Sequence, residues 1–236
     1  MYFPFNMNVI VTGECNRRCE HCCIHVIREQ NSGHMMTMDH VEKLIRATLD
    51  SHYRFKTLLV TGGEPVLWPL LTDASKLLRE SNLADKMMLF SNGDIVPAFT
   101  PKLMDLYDIV ALSVYPDSDH RILSQKYPGK IQYCMALEHF PLPTEAVPGC
   151  LPAQCNCFGP VVYNGLVWEC FAYLVAMRLG KTHTGREISV GYMDGFDPQR
   201  IIRNELCQWC LTNQKAIIGL PRCQPVNLRK RSISKS

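Results

Sequence analysis

The sequence lacks a long hydrophobic run. None of its 236 residues lies in an uninterrupted apolar stretch of about 18 residues, the length that a membrane-spanning helix needs. Residues 1–8 also lack the positively charged segment that opens a secretory signal. These two absences predict a cytoplasmic protein without a membrane partner.

Strong charge and low-complexity segments are absent as well. The formal net charge is only +3, and charged residues make up 20% of the chain. Part of the positive excess lies in residues 226–236, which we interpret as a basic, flexible tail. Because so small an excess gives little attraction for a polyanion, we expect no nucleic-acid partner. The hydrophobic content of 47% is that of an ordinary globular protein.

Cysteine, by contrast, is abundant, with 12 residues. Without a secretory signal, metal binding explains this number better than a disulfide framework does. Cys15, Cys19 and Cys22 follow the apolar segment 9–11 and lie close together in one predicted loop. Three thiolates in one loop can bind a metal centre and leave a fourth coordination position open. An open position is typical of metal sites that perform chemistry.

Short apolar segments alternate with amphipathic ones as far as residue 137. The pattern predicts strands at 7–12, 55–60, 86–90, 108–115 and 131–137. It predicts helices at 38–49, with Thr37 as N-cap, and at 70–83, 101–107 and 118–124. Such alternation is typical of an α/β fold with a parallel sheet and right-handed crossovers.

Polar segments follow the ends of the first four predicted strands. They are the cysteine loop, Gly62–Pro65, Ser91–Gly93 and Ser113–Tyr115. In parallel α/β sheets, functional groups gather at the carboxyl ends of the strands. We therefore expect these four segments to form one site.

The pattern changes after about residue 140, where prolines interrupt the chain and cysteines recur as far as Cys223. The dipeptide Asn164-Gly165 lies between apolar segments and predicts a β-hairpin within 159–171. We expect three regions: a core in residues 1–145, a cysteine-rich extension in 146–225, and the tail.

The spacing Cys15-x3-Cys19-x2-Cys22, followed by Gly62-Gly63-Glu64-Pro65 after the next strand, resembles the radical S-adenosylmethionine (SAM) superfamily. The resemblance covers about residues 7–138. It implies a partial (β/α) barrel of five to six parallel strands, followed by a small cysteine-rich β-hairpin and helix extension. The later pattern, Gly165-x4-Cys170 and Cys207-x2-Cys210, resembles the twitch or SPASM extension of that superfamily, which holds an auxiliary cluster.

The resemblance assigns roles to these residues. Cys15, Cys19 and Cys22 would ligate a [4Fe–4S] cluster with one open iron, to which SAM binds. Reductive cleavage of SAM would then give a 5′-deoxyadenosyl radical. The residues implied in SAM binding are His21, Gly62, Gly63, Glu64, Pro65, Ser91, Asn92 and Ser113.

The residues alone leave alternatives open at this site. The cysteine loop could be a structural zinc knuckle, with His21, His25 or Cys23 as fourth ligand. Serine and asparagine at strand ends often cap a turn. His21 could equally face solvent.

The second cysteine set is implied to bind an auxiliary [4Fe–4S] cluster. Its ligands would be Cys170, Cys207 and Cys210, with either Cys155 or Cys157 as the fourth. Cys150 and Cys223 also lie within reach. Because cysteine spacing identifies a metal poorly, a zinc ribbon stays an alternative for this set.

The resemblance implies an oxidoreductase. The radical would abstract a hydrogen atom from a small-molecule or peptide substrate, and the auxiliary cluster would accept the substrate's electron. A flavodoxin or ferredoxin would supply the reducing electron. The candidate catalytic residues are Tyr115, Glu169 and Cys223. The alternatives are a radical epimerase, with Cys223 or Cys134 as hydrogen donor, and a zinc-binding scaffold without catalysis.

Overall fold

The computed structural model of this chain describes residues 1–19, 35–135, 159–168 and 185–194. Its strands are β1 (Tyr2–Ile10), β2 (Arg54–Thr61), β3 (Ala84–Ser91), β4 (Ile109–Val114), β5 (Ile131–Met135), β6 (Val161–Tyr163), β7 (Leu166–Trp168) and β8 (Arg186–Glu187). Its α-helices are α1 (Met38–Asp50), α2 (Leu71–Glu80), α3 (Pro101–Met104) and α4 (Arg121–Lys126). Short 3-10 helices span Pro65–Leu67 and Val96–Ala98. In these ranges, no helix has the length and apolar character needed to cross a membrane.

All eight strands form one sheet in the order β5-β4-β3-β2-β1-β6-β7-β8. Strands β1 to β5 are parallel, and β6 pairs with β1 in the same direction. Strands β7 and β8 add antiparallel pairs at one edge. The predicted α/β fold with a mostly parallel sheet is therefore confirmed. Strand β1 lies between β2 and β6 and is a central strand.

Helix α1 shows how local sequence sets an element boundary. The Thr37 side chain accepts a hydrogen bond from the backbone N–H of His40, and the His40 ring accepts one from the Thr37 N–H. This capping box satisfies two amides that the helix itself leaves without partners. Val41, Leu44 and Ala47, at helical spacing, are buried against the sheet. The predicted N-cap and helix start are confirmed.

The two faces of the sheet differ because successive side chains of a strand point to opposite sides. One face carries the main apolar core. Its strand residues include Met7, Val9, Leu58, Val60, Leu89, Val110 and Leu112, which are packed with residues of α1 to α4. The paired positions on the other face are mixed in polarity. They include Asn8, Thr61, Ala111 and Ser113, all of them buried.

The predicted hairpin is present as β6 and β7. Asn164 and Gly165 have φ values of 51° and 72°, the left-handed conformation that a two-residue hairpin turn requires. The hairpin continues the core sheet, because Val161 and Val162 pair with Asn8 and Val9. The Asn8 amide also donates to the carbonyl of Pro160 at 3.1 Å. The predicted boundary near residue 145 lies outside the described residues.

Residues 185–194 pack against helix α1 and the start of β2. The Tyr192 hydroxyl lies 2.9 Å from Thr48 Oγ1, and the Gly191 N–H donates to Ser51 Oγ at 2.8 Å. Tyr53 donates a 2.5 Å hydrogen bond to Asp194. Burial, and next this hydrogen bond, raise the pKa of Tyr53 to about 12. These contacts attach the last described segment to the core.

We expect Tyr192→Phe to lower the free energy of unfolding by about 1 kcal/mol, the net value of one buried hydrogen bond. Tyr192 is 4% exposed and Thr48 is fully buried, so water cannot replace the removed hydroxyl as a hydrogen-bond partner of Thr48. Tyr2→Phe is the matched control, because Tyr2 donates to Asp85 but is 50% exposed. Urea unfolding measures both. Equal losses in the two variants would contradict the attachment of residues 185–194 to α1.

Candidate functional site

Four loops meet at the carboxyl ends of β1 to β4. They comprise residues 12–19 after β1, 62–65 after β2, 92–94 after β3 and 115–119 after β4. Hydrogen bonds join each of these loops to at least one of the others. The structure therefore brings together the strand-end segments that the sequence predicted as one site.

The glycine turn after β2 lies directly against the cysteine loop. The Gly63 N–H donates to the Thr12 carbonyl, and the Glu64 N–H donates to the Glu14 carbonyl, both at 2.7 Å. A Cβ atom on Gly63 would lie 2.2 Å from the Glu14 oxygen, and one on Gly62 would lie 2.7 Å from the Thr12 oxygen. Any side chain at these positions would force the two loops apart. The close approach predicted for a ligand is made here by the chain's own cysteine loop.

Glu64 joins the loops after β2 and β3. Its buried carboxylate accepts hydrogen bonds from Ser91 Oγ at 2.6 Å and from the Asn92 N–H at 2.8 Å. The Val66 N–H donates to it at 3.3 Å. Burial raises the pKa of Glu64, whereas the three donors act to lower it. Both carboxylate oxygens thus contact the protein itself, and direct contact of Glu64 with SAM stays a prediction.

The Asn92 side chain connects the loop after β3 to the cysteine loop. Its Nδ2 donates to Asn16 Oδ1 at 2.7 Å and lies 3.9 Å from Cys15 Sγ. Its Oδ1 accepts from the Asp94 N–H at 2.9 Å. The Cys15 sulfur also accepts from the Arg17 N–H at 3.4 Å. The first cysteine of the motif is therefore held by its own loop and by the loop after β3.

Arg17 links the cysteine loop to the loops that follow β3 and β4. Its guanidinium donates twice to Asp94, at 2.6 and 2.8 Å, and once to Asp117 at 2.9 Å. It also lies over the Tyr115 ring, 4.0 Å from the centroid. The Asp94 hydrogen bond contributes most to raising the pKa of Arg17, and Arg17 in turn lowers that of Asp117.

Three residues at this edge of the sheet, Asp94, Asp117 and His120, were not predicted from the sequence as site residues. Asp94 and Asp117 form the arginine contacts, and His120 donates from Nε2 to the Asn92 carbonyl at 2.8 Å. The His120 ring stacks on Tyr133, with centroids 6.0 Å apart. Asp94 comes directly after Ser91–Gly93, so its position near a strand end was the available signal.

The remaining predicted residues divide into two groups. Ser113 lies buried near the end of β4, where it pairs with Cys134 of β5, and Pro65 opens the first 3-10 helix. The others lie outside the described residues. They are His21, Cys22, Cys155, Cys157, Glu169, Cys170, Cys207, Cys210 and Cys223.

The donor chemistry of the described part fits an iron–sulfur cluster. Cys15 and Cys19 are half-buried thiols in one loop, and thiolate sulfur is the usual ligand of such clusters. Within residues 1–19, 35–135, 159–168 and 185–194, no group of three His, Cys, Asp or Glu side chains forms a metal site. Cys22, the third predicted ligand, lies beyond these ranges.

A model of the radical SAM superfamily matches residues 9–131, more than half of the chain. The chain therefore belongs to the radical SAM superfamily. Membership implies an enzyme that uses a [4Fe–4S] cluster and SAM, as the sequence predicted.

Two named relatives match part of the chain. An S-adenosylmethionine-dependent nucleotide dehydratase from Thermoplasmatales archaeon (strain ISO4-H5) is 28% identical over 108 residues, 45% of this chain and 36% of the relative. A 7-carboxy-7-deazaguanine synthase from Methanothermobacter thermautotrophicus is 26% identical over 100 residues, 42% of this chain and 38% of the relative. The match thus spans little more than a third of each relative's length.

Solved structures resemble the chain over a longer range. The crystal structure of BtrN in complex with AdoMet and 2-DOIA has a TM-score of 0.59 at 17% identity, covering 87% of this chain and 92% of that one. BtrN in an open conformation gives a TM-score of 0.54 at 18% identity, covering 88% and 92%. At these identities the likeness concerns the fold.

We expect Gly63→Ala to displace the cysteine loop, because the new Cβ atom would overlap the Glu14 carbonyl oxygen. Overpacking of this kind costs about 1–3 kcal/mol of stability. Iron per chain after anaerobic reconstitution should also fall. Gly129→Ala is the control, since a Cβ there meets no atom within 4 Å although its φ of +81° imposes strain. Normal iron binding in Gly63→Ala would contradict the steric role of the turn.

Proposed function

We propose that this chain is a radical SAM oxidoreductase whose cluster is held by Cys15, Cys19 and Cys22. The observation that supports this most directly is the contact between the family's two signature segments. The glycine turn after β2 hydrogen-bonds the loop that contains Cys15 and Cys19, at the carboxyl edge of a mostly parallel sheet. When bound, the reduced cluster would supply the electron that cleaves SAM, and the resulting 5′-deoxyadenosyl radical could abstract a hydrogen atom.

Some of the residues implied in SAM binding would contact SAM directly, and the others would position the loops around it. Gly62 and Gly63 keep the cysteine loop close to the end of β2, and Pro65 begins the helix that follows. Glu64 acts through Ser91 and the Asn92 amide, which it holds in place. Ser113 and His21 are the proposed direct contacts to the nucleoside part of SAM. The hydrogen bonds that occupy the Glu64 carboxylate support a positioning role for this residue.

Substrate would bind on the sheet face that lacks the main apolar core. The mixed polarity of Asn8, Thr61 and Ser113 on that face suits a ligand with polar groups. The named relatives, a nucleotide dehydratase and a 7-carboxy-7-deazaguanine synthase, favour a small molecule over a peptide. Tyr115, Glu169 and Cys223 stay the candidate catalytic residues, and a flavodoxin or ferredoxin is the proposed electron donor.

We further propose an auxiliary [4Fe–4S] cluster in residues 146–225, which accepts the substrate's electron. The hairpin supports this proposal, because the pairing of Val161 with Trp168 brings together the two segments that lead into and out of the hairpin. Cys155 and Cys157, one of which is the proposed fourth ligand, precede that pair by six and four residues, and Cys170 follows it by two. The likeness in fold to BtrN extends over 87% of the chain, well beyond the family match, which ends at residue 131. Cys207 and Cys210 would complete the ligand set.

The reaction class is tested by anaerobic reconstitution followed by incubation with SAM and dithionite. We expect 5′-deoxyadenosine to form, and Cys15→Ala or Cys19→Ala to abolish it, because each removes a thiolate ligand. Ser81→Ala is the control, since Ser81 is half-buried at the C-cap of α2 and its hydroxyl donates to the Leu78 carbonyl, outside the four loops of the site. A colourless protein that contains zinc and yields no 5′-deoxyadenosine would establish the scaffold alternative instead.

The auxiliary cluster is tested by counting iron. Two [4Fe–4S] clusters correspond to about eight iron atoms per chain, and Cys207→Ala with Cys210→Ala should lower this to about four. Cleavage of SAM should persist in the double variant, because the first cluster keeps its ligands. About four iron atoms in the unaltered protein would contradict the proposal and leave one cluster.

A further inference from the structure

The Tyr115 hydroxyl lies beside the sulfur of Cys19. The two atoms are 3.7 Å apart, within hydrogen-bonding range for sulfur. Tyr115 begins the loop after β4, where its N–H donates to Ser118 Oγ at 3.1 Å and its carbonyl accepts from the Ser118 N–H at 3.1 Å. This turn fixes the backbone from which the ring projects.

Arg17 fixes the other side of the same ring. Its guanidinium carbon lies 4.0 Å from the ring centroid, and its nitrogens are bound by Asp94 and Asp117. The Arg17 side chain is only 15% exposed, so solvent competes little for its charge. Arg17 and Cys19 belong to one loop and are two residues apart. The Tyr115 ring is therefore held by Arg17, which belongs to the same loop as Cys19, and the ring hydroxyl contacts the Cys19 sulfur.

The direction of the Tyr115 contact depends on the state of the sulfur. A thiol at Cys19 donates to the tyrosine oxygen, as in the structure. A cysteine that ligates iron has lost its proton and only accepts, so the phenol must become the donor. Such a bond is charge-assisted and stronger than one between neutral groups.

A donor to a ligating sulfur affects the reduced cluster more than the oxidised one. Reduction adds one negative charge, part of which resides on the sulfur ligands, and an O–H donor stabilises that charge. Hydrogen bonds to the sulfurs are among the factors that set cluster potentials. The fixed positive charge of Arg17 acts in the same direction.

The proposed function is the basis of the inference that follows. We propose that the Tyr115 hydroxyl donates a hydrogen bond to the Cys19 thiolate and thereby raises the reduction potential of the cluster, with Arg17 as the positioning residue for the ring. Cys15 has different donors, the Arg17 backbone N–H at 3.4 Å and Asn92 Nδ2 at 3.9 Å. Tyr115 is the side chain whose hydroxyl contacts Cys19, and its substitution leaves both of these donors to Cys15 in place.

The test is a redox titration of anaerobically reconstituted protein, followed by electron paramagnetic resonance of the signal that changes when SAM is added. We expect Tyr115→Phe to bind the same amount of iron but to be harder to reduce. At a fixed poised potential the ratio of reduced to oxidised cluster should fall about tenfold, equivalent to about 59 mV for a one-electron couple. Tyr127→Phe is the control, because its hydroxyl donates to the Phe99 carbonyl at 2.6 Å in the chain segment around α3 and α4.

The variant Arg17→Lys tests whether Arg17 acts by positioning the Tyr115 ring or only through its positive charge. Lysine keeps the charge but cannot reproduce the planar, two-point contact with Asp94. We expect a shift in the same direction as for Tyr115→Phe. The double variant should shift no further than Tyr115→Phe alone, because both changes remove one interaction. Additive shifts would overturn the positioning role of Arg17.

The outcomes distinguish this inference from the function on which it rests. If the unaltered protein bound no iron–sulfur cluster, both would be overturned. If it bound a cluster that cleaves SAM, but Tyr115→Phe had an unchanged potential, the hydrogen bond to Cys19 alone would be overturned. A potential that shifts equally in Tyr127→Phe would also overturn it, since the effect would then be unspecific.

Discussion

The contact between the Gly62-Gly63 turn and the cysteine loop is the interaction on which the rest of the site depends. Two backbone hydrogen bonds of 2.7 Å join the loops after β1 and β2, and neither glycine leaves space for a side chain. Glu64 follows directly and passes the constraint to Ser91 and Asn92 at the end of β3. Displacing the turn would therefore disturb two neighbouring loops at once.

The cysteine loop has little regular secondary structure in its described part, so its shape must come from its neighbours. Asn92 contacts Asn16 and approaches Cys15, while Arg17 reaches Asp94 and Asp117. Holding the loop in advance lowers the conformational entropy lost when ligands bind. Groups that motif reading assigns to cofactor contact thus contribute first to the shape of the protein. Glu64 is the clearest case, because its carboxylate is fully buried and accepts three hydrogen bonds.

Strand β1 owes its central position to the later part of the chain. The hairpin β6-β7 pairs with it on the side opposite β2, and residues 185–194 pack on helix α1. Met7 and Val9 are fully buried, although β1 is the first strand of the chain. The loop that contains Cys15 and Cys19 therefore emerges from the interior of the sheet and not from an exposed edge.

The sequence by itself determined the elements whose signals are local: the Thr37 cap of α1, the Asn164-Gly165 hairpin, the alternation of strands and helices, and the cysteine and glycine motifs. It did not indicate β8, since two residues, Arg186 and Glu187, are too few for a periodic pattern. Only the tertiary structure decided the partners of Arg17 and Glu64. Asp94 and Asp117 lie 77 and 100 residues from Arg17, and Ser91 lies 27 residues from Glu64. Strand pairing alone brings such distant side chains together, because hydrophobic periodicity specifies which face of an element is buried but not which loops meet at its end.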